Sequence, residues 1–546
     1  MAHVSSARCG GFLMSDDQHG TTNPVMRLIS DHLDRYAADR PDQDFLVLGE
    51  DRLTYAETKD LVDRAARALM AAGVETGDRV AMMSTPRPEF FVHFLAVTSI
   101  GAIWVGLNPK YTTGELDHVI GDAEPSLLFG CAAAAGADQL EKMRALVESH
   151  ACLGQLVVFG NLGTGIGATS WDGFLEGAEQ VTVDQLAERR DSIDPMAPAY
   201  LVYTSGSTGR PKGATLTHRG SNICNVIAVD RKGLSDRRLI CNLPINHIGA
   251  IGDICARTMT GGGTIFFQEQ FDPLDTMETI ERERLNTIGG VPTMLQMCVG
   301  HPDFDRFDLT SIDLLAWGGA AMPADLLATL MDKTDCTRAT MGYGMSEVTG
   351  GVTYSGLEDS IELLTTTVGT PDERQELRIW HPEGREAVAG EAGEIQVRGD
   401  FVMVGYWRLP DATEDAFTAD GWFRTGDLAV RREDGYLEIV GRMSEMFKSG
   451  GYNVYPREVE LALEEHPSIA MAAVVSVPDP TFQEVGIAYV MASGDAVPSA
   501  DDLRTFAKER LANYKIPKKI VVVDELPMLP IGKVDKKALK ALATSD

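Results

Sequence analysis

The stretch Tyr203-Thr-Ser-Gly-Ser-Thr-Gly-Arg-Pro-Lys-Gly213 is where residue types and spacing point most directly to chemistry. It follows the apolar run Ala199-Tyr-Leu-Val. The hydroxyls of Thr204, Ser205, Ser207 and Thr208, together with Gly206, Gly209, Gly213 and Lys212, suit a strand-to-loop turn whose N–H and O–H groups wrap phosphate oxygens. The loop is not a Walker A motif. That motif places Ser or Thr directly after Gly-Lys to hold magnesium, whereas here Pro211 precedes Lys212 and Gly213 follows it. A flexible surface loop has the same composition. A second signal lies near the C-terminus, where residues 505–540 hold nine Lys+Arg against four Asp+Glu. That local reversal of sign suits a phosphorylated ligand.

The surrounding elements fall into a pattern able to position such a loop. From Leu46 onward, helical patterns alternate with short β-rich runs such as Val80-Ala-Met-Met, Ser126-Leu-Leu-Phe, Gln155-Leu-Val-Val-Phe and Thr264-Ile-Phe-Phe. This alternation predicts an α/β fold with largely parallel, buried sheets. Past residue 390, Gly393-Glu-Ile-Gln-Val-Arg, Gly421-Trp-Phe and Gly435-Tyr-Leu-Glu-Ile-Val predict hairpin-linked strands, a small β-rich subdomain closing the large part. After Gly441-Arg442 about 100 residues of mixed pattern are enough for an independent small α+β domain. The expected organisation is a tail over 1–23, a large domain over 24–440 and a small domain over 441–546. Residues 1–23 lack the basic start and apolar stretch of a secretory signal, and Met14 opens a more ordinary N-terminus. The run 90–107 reaches the length of a membrane span, but Gly101 divides it into a buried helix ending near Ser99 and a strand over Ala102-Ile-Trp-Val105.

Composition narrows the function classes. The 546 residues are 44% hydrophobic and 24% charged, near the globular average. With 49 Lys+Arg against 80 Asp+Glu the formal charge is −31, a field that repels polyanions and excludes a broad nucleic-acid-binding face. Eight cysteines without a CxxC pair signal neither a zinc site nor a disulfide framework, so a reduced, cytoplasmic compartment is expected.

Five further motifs follow the phosphate loop in order: Trp317-Gly-Gly-Ala-Ala321, Tyr343-Gly-Met-Ser-Glu347, Thr425-Gly-Asp-Leu428, Gly441-Arg442 with Lys448-Ser-Gly-Gly-Tyr-Asn-Val-Tyr-Pro-Arg-Glu-Val-Glu460, and Pro530-Ile-Gly-Lys-Val534. With these six the chain resembles, from about residue 26 to 540, the adenylate-forming superfamily of acyl-CoA synthetases, peptide-synthetase adenylation domains and luciferases. The resemblance implies joining a carboxylate to the α-phosphorus of ATP, with release of pyrophosphate, and then transfer of the acyl group to a thiol. Two anions must meet in the first step, so the protein has to screen charge and hold the attacking oxygen in line.

The resemblance also implies residue roles. Thr204, Ser205, Gly206, Ser207, Thr208, Gly209 and Lys212 would clasp the β- and γ-phosphates. The loop lacks a metal ligand, so Mg2+ is assigned to Glu347, a hard oxygen donor. Tyr343, in Gly342-Tyr-Gly344-Met345-Ser346, would lay its ring against adenine. Gly319, Ala320 and Ala321 would bring backbone to the purine, though a tight turn after a strand explains them equally. Asp427, an acceptor-only carboxylate, suits the ribose hydroxyls with help from Arg442. Lys533 resembles the lysine bridging substrate carboxylate and α-phosphate, where a point charge counts most in the transition state.

For the second step the small domain of such enzymes rotates at the Gly-Arg junction, bringing Ser449-Gly-Gly-Tyr452 into use. Gly450 and Gly451 would let backbone pass close to the pantetheine arm of coenzyme A, near Lys448. One departure stands out: the position usually held by Asp or Lys two residues after the Arg is Ser444. The segment Asn242-Leu-Pro-Ile-Asn-His-Ile-Gly-Ala250 resembles the wall of the acyl pocket, with His247 either a gate to the pantetheine tunnel or a satisfied core histidine. Ile248, Ala250 and Ile251 suggest an apolar acyl or aryl group. Asp253 in this apolar run is costly unless paired, so it either caps local backbone or reads a polar group on the substrate.

The expectation is an ATP-dependent ligase joining an apolar fatty or aromatic acid to CoA, without a transmembrane segment. A homodimer is admitted by the sequence. Loading of a carrier-protein phosphopantetheine thiol is the alternative. A luciferase-like oxygenase and a binding protein on a degenerate fold are more distant rivals, and the latter would be expected to lose Lys212, Glu347 or Lys533.

Overall fold

The computed structural model of the protein describes residues 24–134, 137–160, 167–205, 210–493, 498–528 and 534–545. In the largest sheet, strands Arg79–Met83, Ile103–Leu107, Leu127–Cys131 and Gln155–Phe159 lie parallel at the centre. Their near-continuous apolar runs are those of strands covered on both faces. Strand Pro198–Ser205 joins parallel to Ile103–Leu107 and returns as the antiparallel strand Pro211–Thr217, which pairs at its far edge with Gly405–Tyr406. A five-stranded sheet orders Thr287–Gly290, Leu314–Gly318, Ala339–Met345, Gly350–Tyr354 and Thr370–Pro371, the first three parallel and the last two antiparallel. A third sheet pairs Arg238–Cys241, Thr264–Phe267 and Asp44–Leu48 in parallel, with Asp51–Thr54 antiparallel at one edge. The mixed α/β class expected from the alternating pattern is the class observed.

The apolar run 90–107 is divided as its glycine suggests. Helix Pro88–Thr98 is buried except at Glu89, strand Ile103–Leu107 is buried throughout, and Gly101 at φ +75° makes the turn. Among the described residues no helix is long and apolar enough to cross a membrane. Helix His218–Lys232 starts where the Thr217 side chain accepts from Gly220 N–H and stops at Gly233 in the left-handed region. Arg231 and Lys232 occupy its last turn, the favourable end of the helix dipole for cations. Farther on, a π-helix over Gly249–Ala256 runs directly into helix Arg257–Thr260.

The chain packs as two units. One runs through Glu376 and resumes over Val397–Phe423; the other comprises Leu377–Gln396 and the residues from Arg424 on. In the second, strands Phe423–Arg431 and Leu437–Arg442 form an antiparallel hairpin whose ladder continues through Gly441 and Arg442. The packing division therefore falls after the first residue of this hairpin, and the 440/441 junction lies within its ladder. The β-rich strands expected to close the large part group with the C-terminal residues, strand Leu437–Arg442 lying against helix Pro456–Glu464. The rest of the unit pairs Ile469–Asp479 with Gln483–Ala492 antiparallel and adds Lys519–Val523 in parallel. Its core gathers Val459 and Leu463 of helix Pro456–Glu464, Leu503 of helix Ala500–Lys508, and Val474, Val490 and Ile520 from the strands.

Candidate active site

The phosphate-loop motif is a β-hairpin. Thr204 lies opposite Lys212 and Ser205 opposite Pro211, so two of the chemistry-bearing residues sit side by side on paired strands. Gly206, Ser207, Thr208 and Gly209, and the side chain of Ser205, lie outside the described residues. Thr204 Oγ1 donates a 3.1 Å hydrogen bond to Glu347 Oε1, and the same carboxylate oxygen accepts from the Tyr406 hydroxyl at 3.1 Å. Lys212 Nζ stands 5.0 Å from the centre of the Tyr406 ring. Tyr406 thus holds the loop's lysine over its face and Glu347 at its hydroxyl, using both the quadrupole of the ring and its polar tip. Burial and the Glu347 carboxylate push its phenol up.

The fold places Tyr406 there through strand pairing. Tyr406 pairs with Ala214, Trp407 N–H donates to Gly213 O at 2.7 Å, and Met403 N–H donates to Glu347 O at 2.8 Å. Sequence reasoning missed Tyr406, and nothing in its spacing marks it.

Glu347 sits in the 3-10 turn Ser346–Val348, between strands Ala339–Met345 and Gly350–Tyr354. The two strands approach unusually closely: a Cβ built on Gly344 would lie 1.6 Å from Gly350 O, so glycine is the only residue that fits. Tyr343 is half-buried on the same strand, Met345 pairs with Gly350, and Ser346 is buried. Gly318 pairs with Gly342 in parallel, so Gly319, at φ +81°, and the exposed Ala320 and Ala321 leave the sheet beside Tyr343. This is the carboxyl end of adjacent parallel strands, where open α/β sheets present their ligand crevices.

His247 is half-buried, and its Nδ1 accepts from Gly249 N–H at 3.0 Å, holding the entry to the π-helix. Asp253, one of the two open questions of this segment, is paired: Arg257 Nη2 meets its Oδ1 at 2.5 Å. The i,i+4 spacing of the two residues was a legible signal for this pair.

Asp427, Arg442, Lys448, Gly450 and Gly451 belong to the second unit. Asp427 and Arg442 are direct cross-strand partners, with Arg442 Nε donating to Asp427 Oδ1 at 2.6 Å. The aspartate is buried while the arginine side chain is 53% exposed. Lys448 is exposed and pairs with Asn453. Gly450 at φ +60° and Gly451 at φ +85° form the two-residue turn of this hairpin, whose geometry demands positive φ at both positions. Local turn chemistry alone therefore requires both glycines. Lys533 lies outside the described residues; Met528 and Val534 on either side of its segment form a β-bridge.

Comparison with known proteins places the chain in a family. The AMP-binding enzyme family matches residues 33–407, and the AMP-binding enzyme C-terminal domain matches residues 458–533. A feruloyl-CoA synthase of Amycolatopsis sp is 36% identical over 490 residues, covering 89% of this chain and 93% of that protein. The indoleacetate–CoA ligase of Aromatoleum aromaticum is 32% identical, covering 94% and 98%. Among solved structures, ATP-bound MatB from Rhodopseudomonas palustris superposes with a TM-score of 0.79 at 30% identity, covering 94% of this chain and 98% of that one. The chain belongs to the AMP-binding enzyme family of adenylate-forming proteins. Within it, the protein is an AMP-forming acid–CoA ligase, an enzyme that uses ATP to activate a carboxylic acid and passes it to coenzyme A. Carrier-protein loading is the less favoured reading.

Proposed function

We propose that the acid is aromatic or aryl-alkanoic and that activation takes place around Thr204, Lys212, Glu347 and Tyr406. The observation that carries the site assignment is the convergence of Thr204 and Tyr406 on one oxygen of Glu347, with Lys212 over the tyrosine ring. A phosphate-loop hydroxyl, a cation and a hard carboxylate are then within reach of one polyphosphate. Among the described residues, Glu347 Oε2 accepts no hydrogen bond and no cluster of three His, Cys, Asp or Glu could cage a metal. That donor set fits Mg2+ held by one carboxylate, the Thr204 hydroxyl, phosphate oxygens and water, which would neutralise charge on the leaving pyrophosphate.

In this reading Lys212 and the loop hydroxyls hold the β- and γ-phosphates, and Tyr343 with Gly319, Ala320 and Ala321 receives the adenine. Asp427 accepts from the ribose hydroxyls, with Arg442 orienting its carboxylate. The acid oxygen attacks the α-phosphorus and pyrophosphate leaves; Lys533 stabilises the crowded oxygens. In the thiol step, movement at the Gly441-Arg442 junction brings Lys448, Gly450 and Gly451 to the pantetheine arm, and His247 borders the acyl group. The aromatic choice is supported by the feruloyl-CoA and indoleacetate–CoA relatives. A cytoplasmic setting is supported by the absence of paired cysteines among the described residues.

The test is a CoA-dependent panel of aromatic and short-, medium- and long-chain acids with ATP and Mg2+, following AMP by coupled assay and thioesters by mass spectrometry. An aryl-CoA product is expected. Acid-dependent adenylate without thioester would point to a carrier-protein thiol instead. Light scattering on the same preparation distinguishes monomer from homodimer.

A further inference from the structure

Every residue of the π-helix Gly249–Ala256 is buried except Asp253, whose side chain keeps 35% of its exposure. This carboxylate is therefore partly open within an otherwise buried helix. Its Oδ1 is taken by Arg257 and stands 2.9 Å from where a Cβ on Gly350 would be. Gly350 pairs with Met345, two residues before Glu347, so the carboxylate lies against the strand pair that carries the Glu347 turn. Among the described residues Asp253 Oδ2 accepts no hydrogen bond.

A buried guanidinium and a buried amine lie near it. The Arg257 side chain is 8% exposed, and its Nε is buried without a hydrogen-bond partner. Lys232 is 6% exposed, has no ion pair or hydrogen bond among the described residues, and sets its Nζ 3.5 Å from the Cβ position of Gly342. The open atom is thus an acceptor on a carboxylate whose charge Arg257 already balances. An ammonium group arriving there would be repelled by Arg257, and a second carboxylate would be repelled by Asp253 itself. A neutral donor satisfies Oδ2 without either conflict.

We propose that Asp253 is a specificity-determining residue whose Oδ2 accepts a hydrogen bond from a neutral hydroxyl or N–H group on the acid. The inference rests on the assignment of the 242–256 segment to the acid pocket.

The experiment compares kcat/KM for CoA-thioester formation within matched pairs: 4-hydroxycinnamic and 4-methoxycinnamic acids, indole-3-acetic and 1-methylindole-3-acetic acids, and 12-hydroxydodecanoic and dodecanoic acids. Wild type is expected to prefer the donor-bearing member of at least one pair by about 10- to 100-fold, the worth of a hydrogen bond to a charged group. Asp253→Leu is expected to bring that ratio to about one, whereas a merely structural lesion lowers both members alike. If Asp253→Leu unfolds because Arg257 is left uncompensated, Asp253→Leu/Arg257→Leu replaces the pair with apolar groups and gives the same readout. Thioesters formed by wild type at a ratio near one in every pair, or a ratio unchanged in the variant, overturn this inference alone. No thioester from any acid overturns the ligase reading and this inference with it.

Discussion

Thr204 and Glu347 are 143 residues apart in the chain and share a 3.1 Å hydrogen bond, the hydroxyl of the phosphate-loop hairpin donating to the carboxylate of the Ser346–Val348 turn. Two sheets of the first unit meet at this contact.

Glu347→Gln is therefore expected to slow adenylate formation by about 10²- to 10³-fold, the range for losing one strong electrostatic contact to a transition state. It should also raise the Mg2+ concentration needed for half-maximal rate. Acid-dependent exchange of labelled pyrophosphate into ATP, measured across a magnesium titration, checks both. Tyr406→Phe removes one hydrogen bond to the same oxygen while keeping the ring beneath Lys212, and a smaller loss of about tenfold is expected.

Lys533→Ala separates the two half-reactions. Adenylate formation should fall by orders of magnitude, whereas thioester formation from a supplied acyl-adenylate should largely survive. Rapid-quench measurement of each step reads this directly, and equal loss in both removes Lys533 from the role proposed for it.

Gly344→Ala tests the strand crossing that shapes the Glu347 turn. With a Cβ position 1.6 Å from Gly350 O, the backbone has to move, and a loss of about 3 kcal/mol or more is expected. Denaturant unfolding would show it as a lower midpoint. A midpoint equal to wild type would mean the two strands separate at little cost.

Lys232 makes stability depend on pH in a direction opposite to that of a paired lysine. Burial, with Arg257 adding to it, lowers its folded-state value from the ordinary 10.5 to about 7, against a smaller opposing pull from Asp253. Below pH 7 both folded and unfolded states hold the proton, so the cost of a buried ammonium is fully present. Between pH 7 and 10.5 the unfolded chain binds more protons, so this residue's contribution improves as pH rises. Lys232→Met should be more stable than wild type at pH 6, with the gap closing toward pH 10. Melting temperatures of both proteins at pH 6, 8 and 9.5 check it, and a gap that does not change with pH refutes the assignment.

Much of the protein was legible in the sequence because the deciding interactions are local. The turn at Gly101 is set by residues a few positions apart, and alternating apolar runs determined the α/β class. The strand-to-loop turn expected after Tyr203 is a hairpin, and Gly450 and Gly451, read as clearance for the pantetheine arm, are the turn residues of another hairpin at 449–452. The Asp253–Arg257 pair was equally local, though its helical spacing had to be read for it to be found. Only the tertiary structure decided that Tyr406 links Lys212 to Glu347, that Gly344 must pass beside Gly350, and that Lys232 is buried close to Gly342. Those neighbours come from separate strands and helices, and no pattern along the chain encodes which sheet edges meet. The same limit explains why the β-rich strands expected in the large domain pack with the C-terminal unit: the contact of strand Leu437–Arg442 with helix Pro456–Glu464 is a choice of partner made in three dimensions.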